Sequence, residues 1–123
     1  MSVVLPSFTR HFATLAGDYD VVLCDVWGVV HNGVAAAAEA ADALTRFRAR
    51  GGTVVLITNA PRPGEKVARL TLDRLGVPRA AYDGIVSSGD VTRALIAARG
   101  GPVQRHRLLA IGDSVRTDLK GCL

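Results

Sequence analysis

The sequence predicts an α/β fold built on a parallel sheet, and three observations predict it. Short apolar runs at about 20–25, 53–57, 85–86 and 108–111 alternate with segments of helical periodicity. The runs are continuously apolar, as expected of strands covered on both faces. Three of them end abruptly in polar groups: Asp25, Thr58-Asn59 and Gly112-Asp113. Alternating strands and helices imply right-handed crossovers, with helices on both faces of the sheet.

The first run is Val21-Val22-Leu23-Cys24, closed by Asp25 and followed by Gly28 and an Asn32-Gly33 pair that reads as a hairpin turn. Before it, Ser7 is placed to cap a short helix carrying Phe8, Phe12 and Leu15 and ended by Gly17. The Ala-rich segment 35–50 predicts a close-packing helix with Leu44 and Phe47 inward, stopped by Gly51-Gly52. After the second run, Ala60-Pro61-Arg62-Pro63-Gly64 is a rigid loop. The helix at about 64–75 then turns Val67, Leu70 and Leu75 inward and closes at Gly76. Ile85-Val86 leads into Ser87-Ser88-Gly89-Asp90 and a helix with Val91, Ala94, Leu95 and Ala98 on one face. Arg99-Gly100-Gly101-Pro102 breaks it, and a last helix begins near Arg116.

Composition narrows the function classes. A chain of 123 residues, 49% hydrophobic, points to one domain with one core over 1–123. No apolar run reaches membrane-spanning length and the N-terminus lacks a signal-peptide pattern. Cys24 and Cys122 have no metal-ligand spacing and are too few for a disulfide framework, so a cytoplasmic setting is expected. The net charge of +4 comes from scattered residues, nearly all Arg, and aromatics are only 5%, which speaks against a nucleic-acid surface. Acidic small molecules are the expected ligands.

Parallel strands place Asp25, Thr58-Asn59 and Asp113 at one edge of the sheet, where open α/β sheets bind ligands. Converging carboxylates need compensation, and without a His or Cys cluster a hard, oxygen-ligated ion such as Mg²⁺ suits Asp25 and Asp113 better than zinc. Thr58-Asn59 offers a hydroxyl, an amide and backbone N–H groups near a helix start, a cradle for a phosphate oxygen. A strand order of third, second, first, fourth would set Asp25 and Asp113 side by side at a topological switch point.

These residues resemble the haloacid dehalogenase-like (HAD) hydrolases. Asp25-Val26-Trp27-Gly28-Val29 is similar to the first motif of that superfamily. Leu56-Ile57-Thr58-Asn59 is similar to the second, and Gly112-Asp113-Ser114-Val115-Arg116-Thr117-Asp118 to the fourth. Asp-Val-Trp-Gly-Val-x-His-Asn-Gly with Thr-Asn-Ala-Pro-Arg-Pro looks like a bacterial subgroup of class IIA. The resemblance implies a Rossmann-like, three-layer parallel sheet and an aspartyl-phosphate mechanism on a small phosphorylated metabolite. Asp25 would be nucleophile and Mg²⁺ ligand, joined by the Trp27 carbonyl and Asp113, with Asp118 supporting the metal shell. Asp118 reads equally well as a helix N-terminal acid favoured by the dipole. Thr58 would hydrogen-bond the phosphoryl group, Asn59 would contact substrate, and Gly28 would let the backbone pass close to it. His31-Asn32-Gly33 would lie in the flap over the site, with His31 in a surface-loop role.

Three departures bear on activity. Trp27 stands where phosphatases of the superfamily carry an Asp as general acid, and an indole transfers no proton at neutral pH. No Lys lies between Arg99 and Leu108 to serve as the third motif, where Arg105 and Arg107 are the positional candidates; Lys66 and Lys120 fall on helices. The class IIA cap would be inserted near 99–107, too short a stretch to hold it, and the sequence ends before an expected fifth strand. The resemblance thus implies a member lacking its cap and C-terminal part, with weak activity. Short apolar edges left by missing strands would favour a homodimer. The competing reading is a catalytically inactive metal-, phosphate- or partner-binding fragment. A response-regulator-like receiver is disfavoured because its acids would cluster before the first helix. A dinucleotide-binding domain is disfavoured because no Gly-x-Gly-x-x-Gly follows the first strand.

Overall fold

Val21–Asp25 (β1), Thr53–Thr58 (β2) and Gly84–Ser87 (β3) pair in parallel with β2 at the centre. The structure, a computed structural model, describes residues 8–99. The register sets Asp25 beside Ile57 and Thr58 beside Ser87, so the polar endings gather at one edge of the sheet. The third-second-first part of the expected order holds. The fourth strand at 108–111, with Asp113, Asp118 and Cys122, falls outside the described residues.

Cys24, Val54 and Leu56 point to one face of the sheet, where Leu44 and Phe47 of α2 (Ala38–Ala49) cover them together with Leu72, Val77, Ala81 and Tyr82. On the other face Val21, Leu23, Ile57 and Val86 are exposed, Leu23 to 66%. The chain has the expected α/β, Rossmann-type architecture, but the described residues build only the sheet and one covering layer. On the other face the helix after β3 brings Val91 and Thr92 beside Ile57 and Val86 but leaves them exposed, so that layer is only begun among the described residues. In α5 (Ser88–Ala98), which packs against β3, the predicted inward set is likewise exposed, Val91 to 46% and Leu95 to 60%.

Local chemistry explains the other differences. The first helix, α1, is confined to Ala13–Ala16, and Phe8 is fully exposed rather than part of its face. Thr9 and Thr14 both donate their hydroxyls to the His11 carbonyl, at 3.1 and 2.7 Å, a turn that competes with earlier helix formation. Phe12 still packs on Phe47, with ring centroids 5.8 Å apart. The start of α2 is delayed to Ala38 because Asn32 Oδ1 accepts the N–H groups of Val34 and Ala35, each at 2.9 Å. The Asn32-Gly33 turn is closed by a single bridge, His31 to Ala36.

The predicted 64–75 helix is interrupted. Its first turn is α3 (Gly64–Val67), its last α4 (Asp73–Leu75), and between them Ala68–Leu72 forms a wide π turn. That extra residue rotates the phase, so Val67, Ala68 and Leu72 are buried and Leu70 is half in water at 51%. The segment ends as expected at Gly76, with Val77 N–H donating to Leu72 O at 2.9 Å and Gly76 N–H to Asp73 O at 3.2 Å. A short 3₁₀ turn, Arg79–Ala81, then leads to β3.

Candidate active site

Each wall of the site is set by a strand ending. At the end of β1, Asp25 Oδ1 accepts the N–H of Val26 at 2.7 Å. Val26 and Val30 are buried and anchor a tight loop, with Val30 N–H donating to Val26 O at 2.9 Å and Gly28 N–H to His31 O at 2.8 Å. Gly28 adopts φ 78°, a left-handed conformation that other residues take up only with strain. Trp27 projects from this loop and is largely exposed. Its six-membered ring lies over Gly33, where a Cβ would stand 2.6 Å from Cζ3, and His31 meets the ring edge-on at 5.5 Å.

His31 corrects an expectation. It is buried rather than a surface-loop residue, and its Nδ1 accepts the Gly33 N–H at 3.0 Å. Its role is to brace the turn and the Trp27 ring.

At the end of β2, Thr58 is half-buried and its Oγ1 accepts the Ala60 N–H at 3.2 Å, while Asn59 is exposed. At the end of β3, Ser87 is fully buried and caps α5. Its Oγ accepts the Asp90 N–H at 3.1 Å and its hydroxyl donates to Asp90 Oδ2 at 3.0 Å. Asp90 Oδ2 also accepts the Gly64 N–H at 2.7 Å, and Gly89 N–H donates to Ala60 O at 3.1 Å. The Ala60–Gly64 loop is thereby tied at both ends to the start of α5.

Between these walls lies an open cleft of about 630 Å³. Asp25, Trp27, Thr58 and Asn59 all line it, so four sequence-selected residues converge, with Gly28 in the adjoining turn. The other two, Asp113 and Asp118, lie outside the described residues. Sequence reasoning missed Ser87, Ser88 and Thr92 on the far wall, and the Asp90 clamp. The spacing Ser87-x-x-Asp90 ahead of an apolar run was the available signal, a capping pattern. A second cleft, of about 580 Å³ between α1 and α2, is rimmed by Arg10, Arg46 and Arg50 and carries no strand-end group.

Residues 22–122 match the family model described as haloacid dehalogenase-like hydrolase. The chain belongs to this family. A solved structure described as a hydrolase of the haloacid dehalogenase-like family from Brucella suis 1330 is 50% identical, with a TM-score of 0.69. The match covers 77% of this chain but 34% of that one, so the chain spans about a third of its neighbour's length. No curated protein matches the chain.

For a HAD-like hydrolase the donors at the cleft are all oxygen. Asp25 is exposed there, and the Trp27 carbonyl takes none of the loop's backbone hydrogen bonds. Both suit a hard cation. Among the described residues no three His, Cys, Asp or Glu side chains cluster as a metal site. Cys24 is a buried free thiol whose burial, followed by the nearby Asp25 charge, pushes its pKa up, which makes it an inert core group rather than a ligand. No helix among the described residues is long and apolar enough to cross a membrane.

Proposed function

We propose that this HAD-like chain carries the core of a class IIA, Mg²⁺-dependent phosphoryl-transfer site acting on a small phosphorylated metabolite in the cytoplasm. The observation that carries the reading is the convergence of Asp25, Thr58 and Asn59 in one cleft at the sheet edge. An Asp25 carboxylate oxygen would attack phosphorus, forming the aspartyl-phosphate P–O bond as the ester P–O bond breaks. Water would then hydrolyse that acyl phosphate, releasing inorganic phosphate and restoring Asp25. Thr58 would hold a phosphoryl oxygen and Asn59 the substrate side. Asp25, the Trp27 carbonyl and Asp113 would hold Mg²⁺, with Asp118 in support; the ion supplies charge neutralisation to the phosphoryl group. In this reading 1–123 is one core domain without a cap, and a homodimer is its expected assembly.

Trp27 leaves the departing oxygen without a proton donor at the first-motif position. Aryl phosphates, whose leaving groups depart unprotonated, would therefore turn over faster than alkyl phosphates. The test is hydrolysis of both classes by wild type and Asp25→Asn at matched Mg²⁺. Asp25-dependent release of phosphate, faster from aryl esters, is the expected result. Equal activity in both proteins would leave the second reading, an inactive metal- or phosphate-binding module, which the indole at position 27 favours.

A further inference from the structure

Trp27 is the chain's single tryptophan, and it is 63% exposed where it lines the cleft with Asp25. A side chain of this kind carries more apolar area than any other, and folding normally hides most of it. Yet the ring is not loose. Gly33 lies beneath its six-membered ring so closely that any Cβ would collide with it. His31, itself 5% exposed, holds it edge-on and accepts the Gly33 N–H. An aromatic surface fixed beforehand loses little conformational entropy when a ligand stacks on it. Ile57, Val86 and Val91 are 40%, 44% and 46% exposed and extend the apolar lining, while Thr58 and Asn59 are its polar counterpart.

We infer that Trp27 is an aromatic platform that selects phosphate monoesters whose leaving group carries a planar aromatic ring. The inference rests on the proposed phosphoryl-transfer reading for the phosphate end of the ligand and adds the class of its other end. The same residue then explains two things: it withholds a proton that an aryl oxide does not need, and it recognises the aryl group.

The test uses phenylphosphonate and cyclohexylphosphonate, non-hydrolysable probes alike in charge and size, titrated into the full chain with Mg²⁺. Because Trp27 is the sole tryptophan, its emission reports directly on a ring placed against it. Phenylphosphonate is expected to change that emission and to bind roughly two- to tenfold tighter than cyclohexylphosphonate, the range of an aromatic pair beyond its burial. Calorimetry on Trp27→Leu should show the two probes bound equally, and Trp27→Tyr should recover part of the preference. Equal binding to wild type, no binding of either probe, or a preference that survives in Trp27→Leu overturns the platform. Emission that changes with protein concentration and not with probe also overturns it, since the ring is then covered by a second copy. Phenyl phosphate hydrolysis by wild type and Asp25→Asn runs alongside. Aromatic preference without Asp25-dependent turnover keeps the platform and removes the hydrolase reading. Asp25-dependent turnover without aromatic preference does the reverse.

Discussion

Asp90 reaches from the first turn of α5 to accept the Gly64 N–H at 2.7 Å, joining the end of β3 to the start of α3. Nothing in that link touches Asp25, yet the loop it tightens follows directly on Thr58-Asn59. The same carboxylate oxygen takes the Ser87 hydroxyl, and Gly89 meets the Ala60 carbonyl, so the loop has little freedom to move independently of α5.

Asp90→Ala should therefore destabilise the fold by about 1–3 kcal/mol, the usual cost of orphaning partly buried donors. Any Asp25-dependent phosphate release should fall by roughly tenfold or more through misplacement of Thr58. Half-activation by Mg²⁺ should stay unchanged, because β1 is untouched. Urea melts and Mg²⁺ titrations of activity measure the two effects separately. A parallel loss of Mg²⁺ response would mean general unfolding instead of loop displacement.

Phe47 is 2% exposed, packs on Phe12, and carries the Arg50 guanidinium 4.5 Å above its ring. Phe47→Ala should cost about 3–5 kcal/mol by cavity formation. Denaturant midpoints against wild type check this.

The pH dependence should include a contribution from Asp83. Its hydrogen bond from Arg48, then that from the Val54 N–H, hold its carboxyl below the usual carboxylate range. A depressed carboxyl stabilises the fold above its unfolded value, about 3.9, and loses that contribution as pH falls through the folded value. Asp83→Asn should lower stability near neutrality and flatten the decline below about pH 4. Melting temperatures from pH 7 to pH 2 for both proteins would reveal it; parallel curves would contradict it.

Mg²⁺ should raise the melting temperature, since a ligand bound only to the native state adds about 2.7 kcal/mol at a hundred times its Kd. Asp25→Asn and Asp113→Asn should each remove most of the gain. Superimposable scans of the folded wild type with and without Mg²⁺ would refute the metal site.

Trp27→Asp should install the missing proton donor. Alkyl-phosphate turnover is expected to rise by roughly 10²-fold, the low end of general acid catalysis. A Brønsted series of leaving groups should lose slope in the variant. An unchanged slope would show that position 27 does not face the leaving oxygen.

The strand runs and their polar endings were legible because both are local. A β-branched run closed by Asp25 or by Thr58-Asn59 reads as a strand meeting a ligand edge without knowledge of its neighbours. Parallel pairing then follows from the intervening helical segments, and so does the meeting of Asp25, Thr58 and Asn59. The glycine stops at Gly51 and Gly76 are local in the same way, both residues having positive φ.

Only the tertiary structure decided which apolar residues are inside. Leu70 and Leu72 are equally apolar, and it is the π turn at Ala68–Leu72 that turns the second inward and the first out. Val91 and Leu95 have a proper helical spacing yet stay exposed beside β3 among the described residues. His31 reads as a polar loop residue until the turn folds its imidazole under Trp27 and onto Gly33. Asp90 reads only as part of the polar lead into a helix until Gly64, 26 positions earlier, arrives beside it. Propensity and periodicity report what a segment prefers along the chain. Burial, register and partner choice depend on what the rest of the chain places opposite, and that is set by packing across large sequence separations.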